Sequence, residues 1–371
     1  MRSLFFVPIF FFLLSCRKDI EGFPQDLAVE LSRTQATLNL RDTLKLYVKN
    51  VSQKVSKDSI RWTVDNKNVL AVLAVKGDTI LLKPRIAGQA KISVKIRPLS
   101  FETNCTINVE EGNLIRVLAI GNSFSEDALE QNFYQMASAS GKKLIVGNLF
   151  YAGAGLDFHV NSAKLDNKLY SYRKISSSGE RTVTEGFSLK NAILDDYWDY
   201  ISFQQKSDDS GLYDTFKNDL PDLFTFVNTR NDRRSTKYVL HQTWSYSPGS
   251  IHTAFAKYNN DSYMMYQAIA SAYERAQTEL LPGATVIPNG TSIQNYRQHL
   301  PNTSLTRDGQ HLNTLGRYIA AGTWYYSLLD EKMTTSLSSL YRASGVSVST
   351  AQQVELAITN ALRSPFKTTD Y

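Results

Sequence analysis

The sequence predicts an all-β domain followed by an α/β domain whose sheet is mostly parallel. From about residue 27 to residue 110, apolar and polar residues alternate with a period of two, which is typical of short strands with one buried face. From residue 114 onward, apolar runs alternate with longer amphipathic stretches, which is typical of strands joined by helices. A length of 371 residues, of which 42% are apolar, is sufficient for two such domains.

The first sixteen residues, MRSLFFVPIFFFLLSC, have the features of a secretory signal. A basic residue is followed by an apolar run that is too short to span a bilayer. The ending LLSC resembles the lipobox of bacterial lipoproteins, in which the cysteine becomes the lipidated N-terminus. This resemblance implies an extracytoplasmic protein that is lipid-anchored through Cys16 to a bacterial membrane, with the outer membrane favoured. The alternative is an ordinary signal peptide. Residues 17–26 are polar and suit a tether.

The segment 27–110 is predicted to form an antiparallel sandwich. The runs TLKLYV and KISVKI each place three apolar side chains on one face, and the turn signals KGD and AGQ separate such runs. Cys105 alternates with Ile107 and Val109, so we expect it to be a small buried core residue. The runs RDTLKLYV, IRWTVDNKNVLAV, PRIAGQAKISVKI and CTINV resemble, in this order, the bacterial group 2 immunoglobulin-like domain. The resemblance implies a spacer or weak adhesion module.

The α/β domain is assigned to residues 114–371. Strands are predicted near 116–120, 144–149, 200–204, 237–241 and 285–288. Helices are predicted near 127–140, 213–229, 262–279, 312–329 and 351–363. The stretch 168–189 has two β-rich runs about a Ser-Gly turn, so it predicts a hairpin beside the sheet.

Charge and motif content exclude several function classes. The net charge of +6 is spread along the chain without a long Lys/Arg run, which does not favour nucleic-acid binding. The sequence has no paired Cys/His spacing and no phosphate-binding Gly-Lys motif, so we expect neither a metal site nor a cofactor. The oligomeric state is not indicated by any pattern.

A first candidate for chemistry is Ser123, in the run RVLAIGNSFS. It follows a predicted strand and precedes a helix, and ligands of open α/β sheets bind beyond the carboxyl ends of such strands. The helix N-terminus leaves backbone N–H groups free to stabilise an oxyanion. Ser123 is therefore either a nucleophile or a helix cap. Ser125 fits the role of a cap better, because acidic residues such as Asp127 follow it in the first turn, and the alternative is a residue that supports the nucleophile from behind.

A second candidate is His311, in the run TRDGQHLNTLGRY. Asp308 lies three residues before it, which brings both side chains to one side of a turn. A carboxylate in this position can accept a hydrogen bond from one imidazole nitrogen and leave the other free for a hydroxyl group. The alternative is a capping aspartate next to a surface histidine.

Taken together, the motifs resemble the SGNH (GDSL-like) hydrolase family over residues 114–330. The runs AIGNSFSEDALEQ, WDYISFQQKSDDSG and DGQHLN are similar to a branch of secreted bacterial proteins within it. The resemblance implies a three-layer α/β domain in which Ser123 is the nucleophile, His311 the general base and Asp308 its orienting acid. It also implies that the backbone N–H groups of Ser123 and Gly153 form the oxyanion hole, with Gly155 as the neighbouring alternative.

The sequence departs from the family pattern in two blocks. The first block usually reads Gly-Asp-Ser, but here Asn122 replaces the acid, and we expect it to brace the turn by hydrogen bonds. The third block usually supplies an Asn side chain to the oxyanion hole, but here the strand ends in SFQQ. Side chains alternate along a strand, so at most one of Gln204 and Gln205 faces the cleft, and Gln204 is preferred. Alternatively, both glutamines only satisfy buried groups at the strand end.

The resemblance implies a serine esterase that hydrolyses an acyl or methyl ester through a Ser-His-Asp triad. The expected substrate is an esterified glycan or a small ester, and the carbohydrate part rests on analogy. The alternative is a catalytically inactive glycan-binding lipoprotein at the cell surface, which the departure in the third block favours. Retention of Ser123, Asp308 and His311 together favours the enzyme, since a binding protein does not need all three.

Overall fold

A computed structural model describes residues 30–40, 42–49, 51, 56–97, 101–110, 114–231 and 236–369. The proposed signal sequence, Cys16 and the tether at 17–26 lie outside these residues. No helix in the described ranges is long and apolar enough to cross a membrane.

The N-terminal part forms two four-stranded sheets that pack their apolar faces into one core. The strands are β1 (Glu30–Leu31), β2 (Gln35–Asn39), β3 (Leu44–Lys49), β4 (Ile60–Val64), β5 (Leu70–Lys76), β6 (Thr79–Pro84), β7 (Gly88–Ile96) and β8 (Phe101–Glu110). The sheet orders are β1-β3-β6-β5 and β2-β8-β7-β4. Cys105 is fully buried in this core, as expected. The likeness to the group 2 immunoglobulin-like domain stays a prediction.

One strand pair differs from the antiparallel expectation. β2 pairs with β8 in parallel, from Gln35 opposite Thr106 to Asn39 opposite Glu110. Strands that are neighbours in a sheet but distant in the chain can run in either direction, because no hairpin turn fixes their relative orientation. An alternation with a period of two indicates which side chains are buried, but it does not indicate whether two paired strands run parallel or antiparallel.

A seven-stranded sheet follows, in the order β12-β11-β10-β9-β13-β14-β15. The strands are β9 (Leu114–Gly121), β10 (Lys143–Phe150), β11 (Tyr170–Ile175), β12 (Arg181–Phe187), β13 (Tyr200–Phe203), β14 (Lys237–His241) and β15 (Thr285–Ile287). The β10-β9-β13-β14-β15 run is parallel, and the β11–β12 hairpin adds an antiparallel edge, as the sequence predicts. The central strand β9 is buried along nearly its whole length, because both faces of the sheet are covered.

Ten α-helices are described around this sheet. They are α1 (Ser123–Leu129), α2 (Phe133–Ala139), α3 (Leu156–Leu165), α4 (Leu189–Asp195), α5 (Asp219–Arg230), α6 (Ser262–Arg275), α7 (Asn289–His299), α8 (Thr314–Leu328), α9 (Leu337–Leu340) and α10 (Val348–Arg363). The helix predicted at 127–140 is two helices, and four short or polar helices were not predicted: α3, α4, α7 and α9. Helix α7 lacks an apolar stripe because its polar side chains are buried in hydrogen bonds.

A buried cluster of charges joins the N-terminal sheets to the α/β part. The Arg116 side chain on β9 is completely buried. Its guanidinium group lies 3.0 Å from an Asp42 oxygen of the N-terminal part, and 3.6 and 3.4 Å from oxygens of Asp196 and Asp199. Arg33 extends the contact by donating hydrogen bonds to two backbone carbonyl groups near the end of α4, both at 2.8 Å. The two parts therefore share a buried polar interface.

Candidate active site

The nucleophile candidate lies in a turn that its own side chains hold together. Ser123 is the first residue of α1, and Asn122 caps the helix by accepting a hydrogen bond from the backbone N–H of Phe124 at 2.9 Å. The Asn122 amide also donates to the carbonyl of Ala154 at 2.8 Å. The expectation that Asn122 braces this turn is therefore confirmed.

Of the two roles expected of Ser125, the structure shows the supporting one. Ser125 does not cap α1, because Asn122 occupies that position. Its buried hydroxyl group lies 2.7 Å from the Asn122 carbonyl oxygen and 2.8 Å from Asn148 Oδ1 on β10. Ser125 thus ties the turn to the neighbouring strand and faces away from solvent.

The three residues expected to form a triad lie in one continuous chain of hydrogen bonds. Ser123 Oγ is 2.9 Å from His311 Nε2. His311 Nδ1 is 2.6 Å from Asp308 Oδ2. Ser123 and His311 are 188 positions apart in the sequence. The fold therefore brings together three side chains that can act as a serine nucleophile, its base and an orienting acid.

Hydrogen bonds hold the Asp308 carboxylate in its ionised form. Partial burial acts to raise the pKa of this group, but hydrogen bonds from the backbone N–H of His311, from its ring and from the backbone N–H of Gln310 lower the pKa to about 2. The two backbone bonds measure 2.7 and 3.0 Å. Asp308 is thus negative throughout the range in which imidazole groups titrate, and it can stabilise positive charge on His311.

The loop that carries His311 is fastened to α1 by the buried carboxylate of Asp127. One of its oxygens accepts the backbone N–H of Leu312 at 2.7 Å. The same carboxylate lies 3.0 Å from Arg307 and 2.7 Å from Arg317 at their guanidinium nitrogens. Because α1 also carries Ser123, Asp127 fixes the distance between nucleophile and base. In the sequence Asp127 is visible only as an acidic residue of the first turn, although Arg307 and Arg317 on either side of the DGQH run were a usable signal.

Trp244 also supports this loop and was not identified from the sequence. Its indole N–H donates to the carbonyl of Gln310 at 2.8 Å. Its ring stacks on Phe124 of α1 with 4.1 Å between centroids and nearly parallel planes. The contact gives the base-bearing loop a rigid apolar support beneath the triad.

Two backbone N–H groups are available beside the nucleophile. Gly153 follows β10 with a φ of +68°, a conformation that side chains other than glycine rarely adopt. Gly155 caps α3, and a Cβ atom there would lie 2.7 Å from Gln205 Oε1. Within the described part of the chain, neither the N–H of Ser123 nor that of Gly153 has a hydrogen-bond acceptor. Both can therefore donate to a ligand.

The Gln204 amide has partners of its own, which revises its predicted role. Its Nε2 donates to Asn122 Oδ1 at 2.7 Å, and its Oε1 lies 2.9 Å from Nδ1 of His241. His241 is in turn 2.9 Å from the amide of Asn289. Complete burial lowers the pKa of His241 to about 3, so the ring is neutral. Gln204 therefore belongs to a buried chain of hydrogen bonds that holds the Asn122 cap.

Gln205 is also engaged away from the nucleophile. Its Oε1 accepts the backbone N–H groups of Leu156 and Lys206 at 3.0 and 2.9 Å. Its Nε2 donates to the hydroxyl and the carbonyl of Thr215 at 2.9 and 3.2 Å. The side-chain contacts therefore favour the alternative reading, in which Gln204 and Gln205 satisfy buried groups, over the expected oxyanion role.

Comparison with known proteins identifies the family. The model of a family described as a domain of unknown function, DUF4886, matches residues 116–361. The chain belongs to the DUF4886 family. A crystal structure of a DUF4886 family protein from Bacteroides uniformis is 37% identical, with a TM-score of 0.66, and the match covers 69% of this chain and 98% of that chain. None of the curated proteins compared with the chain matches it.

More distant solved structures include hydrolases. A GDSL-like lipase from Bacteroides thetaiotaomicron is 10% identical with a TM-score of 0.36, and the match covers 59% of this chain and 89% of that chain. LAE5, an alpha/beta hydrolase enzyme from the metagenome of Lake Arreo, is 12% identical with a TM-score of 0.38, over 57% of this chain and 94% of that chain. At such low sequence identities and TM-scores, these structures do not indicate a reaction for this DUF4886 protein. Its own side chains are the basis for inferring one.

Proposed function

We propose that this DUF4886 protein is a serine ester hydrolase. The observation that carries the proposal is the hydrogen-bond chain from Ser123 through His311 to Asp308, at the carboxyl end of the central strand. A serine or histidine with a purely structural role does not need a base or an orienting acid beside it. An activated serine nucleophile needs both.

The geometry supports acyl transfer in two steps. Ser123 Oγ attacks the ester carbonyl while His311 Nε2 takes its proton, and the carbonyl oxygen becomes negative. When the tetrahedral intermediate collapses, the bond to the alcohol breaks and His311 returns the proton to the leaving oxygen. A water molecule then gives a proton to His311 and attacks the acyl-enzyme, which releases the acid and restores Ser123. Asp308 stabilises the positive imidazole in both steps.

The oxyanion is assigned to the backbone N–H groups of Ser123 and Gly153. Neither has an acceptor among the described residues, and one lies at the N-terminus of α1, where the helix dipole favours negative charge. The buried amides of Gln204 and Gln205 are not part of this assignment. Gly155 instead serves as the α3 cap next to Gln205.

The proposed substrate is an esterified glycan, from which the enzyme removes an acyl or methyl group. A decisive experiment treats the full-length protein with a serine-reactive phosphonate, locates the label by mass spectrometry, and screens a panel of esterified oligosaccharides for acetate or methanol release. Labelling at Ser123 together with release is the expected result. Absence of both with folded protein would favour the second candidate, a surface glycan-binding lipoprotein that has lost activity.

We further propose that the mature protein is anchored through a lipid on Cys16. Cys16→Ala is expected to move the protein from the detergent phase to the aqueous phase, or to block its processing, because the acyl chains provide the membrane affinity. Phase partitioning of cell extracts measures this. Cys105→Ala is the matched control and should partition like the natural protein, since Cys105 is buried. An unchanged distribution of Cys16→Ala would contradict the anchor.

Substitution of the two glutamines should cost stability more than catalysis. Gln204→Ala and Gln205→Ala each leave buried partners unsatisfied, so we expect each to lower the free energy of unfolding by about 1–3 kcal/mol. We expect kcat on a soluble ester to fall by less than about tenfold, whereas loss of an oxyanion donor costs about 10²–10³. Urea unfolding and steady-state kinetics measure the two effects. A hundredfold loss of kcat with little loss of stability would restore the oxyanion role.

A further inference from the structure

An exposed aromatic ring lies beside the proposed oxyanion site. Tyr151 directly follows β10 and keeps 38% of its surface exposed. Its backbone N–H donates to the carbonyl of Gly121 at 3.2 Å, and Gly121 is two residues before Ser123. Tyr151 is also two residues before Gly153. The backbone that carries this ring is therefore bonded to the segment of Ser123 and continuous with the segment of Gly153, which supply the two proposed oxyanion donors.

Other rings hold the Tyr151 side chain in place. It stacks on Phe158 of α3 with 4.2 Å between centroids and 23° between planes. Tyr170 lies edge-on to both rings, at 6.5 Å from Tyr151 and 5.8 Å from Phe158. Tyr170 is itself buried, and its hydroxyl is 2.9 Å from Nδ1 of the buried His159. The exposed ring thus belongs to a rigid cluster and loses little conformational freedom when a ligand binds it.

The register of the sheet places this cluster at the catalytic edge. β11 runs antiparallel to β10, and Phe150 at the end of β10 pairs with Ser171 near the start of β11. Tyr170 therefore lies at the carboxyl end of β10, on the edge where Ser123 follows β9. The cluster of Tyr151, Phe158 and Tyr170 flanks the proposed active site on the side of Gly153.

A polar surface lies against the triad loop. Ser250 approaches this loop so closely that a Cβ atom on Gly309 would be 2.9 Å from its hydroxyl oxygen. The backbone N–H of Ser247 donates to the carbonyl of Gly309 at 2.8 Å, and its hydroxyl is 2.8 Å from that of Thr306. Ser247 and Ser250 are both partly exposed. The surroundings of the triad therefore combine a flat aromatic ring with accessible hydroxyl groups.

We propose that Tyr151 is the platform of a sugar-binding subsite, which stacks on the apolar face of a sugar ring in an esterified glycan. A sugar ring presents C–H groups on its face, which suit an aromatic platform such as Tyr151. Its hydroxyl groups, and those of neighbouring sugars in a glycan, suit polar surroundings such as the serine hydroxyls near the triad loop. An aliphatic acyl chain needs apolar contact but neither a flat ring nor hydroxyl partners. This inference rests on the proposed ester hydrolase function and assigns the residue that recognises the sugar of the proposed substrate.

The test compares Tyr151→Leu and Tyr151→Phe in the full-length protein. Two substrates are used: 4-nitrophenyl acetate, and whichever member of a panel of acetylated oligosaccharides the natural protein hydrolyses best. Tyr151→Leu keeps an apolar side chain but loses the flat ring, so we expect KM for the oligosaccharide to rise about tenfold. Its kinetics on 4-nitrophenyl acetate should stay within about twofold. Tyr151→Phe should retain most of the oligosaccharide activity. Tyr200→Leu is the matched control, because Tyr200 begins β13 and so lies at the amino ends of the parallel strands, away from the triad.

Several outcomes would overturn the subsite. One is an unchanged oligosaccharide KM in Tyr151→Leu, which would indicate that the ring bears no sugar. Another is an equal loss on both substrates, which would indicate a structural role. A third is hydrolysis of 4-nitrophenyl acetate without hydrolysis of any sugar ester. This result would exclude a sugar ester as the substrate but would still support the esterase function. If Ser123 takes no phosphonate and no ester is cleaved, the function itself fails; isothermal titration of the oligosaccharides against Tyr151→Leu and the natural protein then decides the subsite alone.

Discussion

Ser123→Ala and His311→Ala should each lower kcat on a soluble ester by about 10⁴-fold or more. Without the Ser123 hydroxyl no acyl-enzyme can form. Without His311, whose Nε2 lies 2.9 Å from that hydroxyl, no group takes up its proton. Asp308→Ala should cost less, because an imidazole without its orienting acid can still accept a proton. Steady-state kinetics of purified proteins with matching circular dichroism spectra measure these losses.

The double variant decides whether the two residues act as one unit. Ser123→Ala with His311→Ala should be little worse than either single variant, because each alone already abolishes the same step. Ser125→Ala is the matched control: it removes a second serine hydroxyl from the same turn, but this hydroxyl contacts Asn122 and Asn148. We expect it to retain kcat within about tenfold. Full activity of Ser123→Ala would exclude it as nucleophile, and additive losses would exclude the shared step.

The strands of the α/β part and the residues of the candidate triad could be predicted from the sequence for physical reasons. The parallel strands are buried on both faces, so they appear as apolar runs whose limits the structure reproduces to within two residues. Asp308 and His311 are three residues apart, so their contact is local and visible in the pattern. Ser123 could be placed at the same edge because the carboxyl ends of parallel strands meet there.

The partners of buried polar side chains could not be predicted. Gln204 was expected to face the cleft, with Gln205 as the alternative. Instead, Gln204 Oε1 lies against His241 on another strand, and Gln205 Nε2 donates to Thr215 beyond the strand end. Such pairings depend on the three-dimensional arrangement of several loops, and strand alternation gives only the direction of a side chain. The same reason explains why the role of Asp127 between α1 and the base-bearing loop was not found.

Arg116 is another buried polar side chain whose partners the sequence does not reveal, and we expect its loss to have the largest effect on stability. In the sequence it is only a charged residue within an apolar strand. Arg116→Met should lower the free energy of unfolding by about 3–5 kcal/mol, because it removes the buried cation that the carboxylates of Asp42, Asp196 and Asp199 share, although Asp196 keeps an ion pair with Lys174. Urea unfolding followed by circular dichroism measures the change. Lys143→Met, which removes a partly exposed ion pair with Glu110, is the matched control and should change stability by less than about 1 kcal/mol.

A second substitution separates charge from packing. If the loss in Arg116→Met arises from uncompensated carboxylates, adding Asp42→Asn should recover part of it, because one buried negative charge is then removed. If the loss arises from a packing defect, Asp42→Asn should add its own cost. Asp42 lies in the loop between β2 and β3 of the N-terminal part, and Arg116 lies on β9, which ends at Gly121 just before Ser123. Recovery would therefore also show that the two parts are coupled energetically. Arg116 lies at the opposite end of β9 from the triad, and the folded fraction of Arg116→Met should therefore keep a kcat close to that of the natural protein. A stability change under 1 kcal/mol would mean that this interface contributes little to the fold.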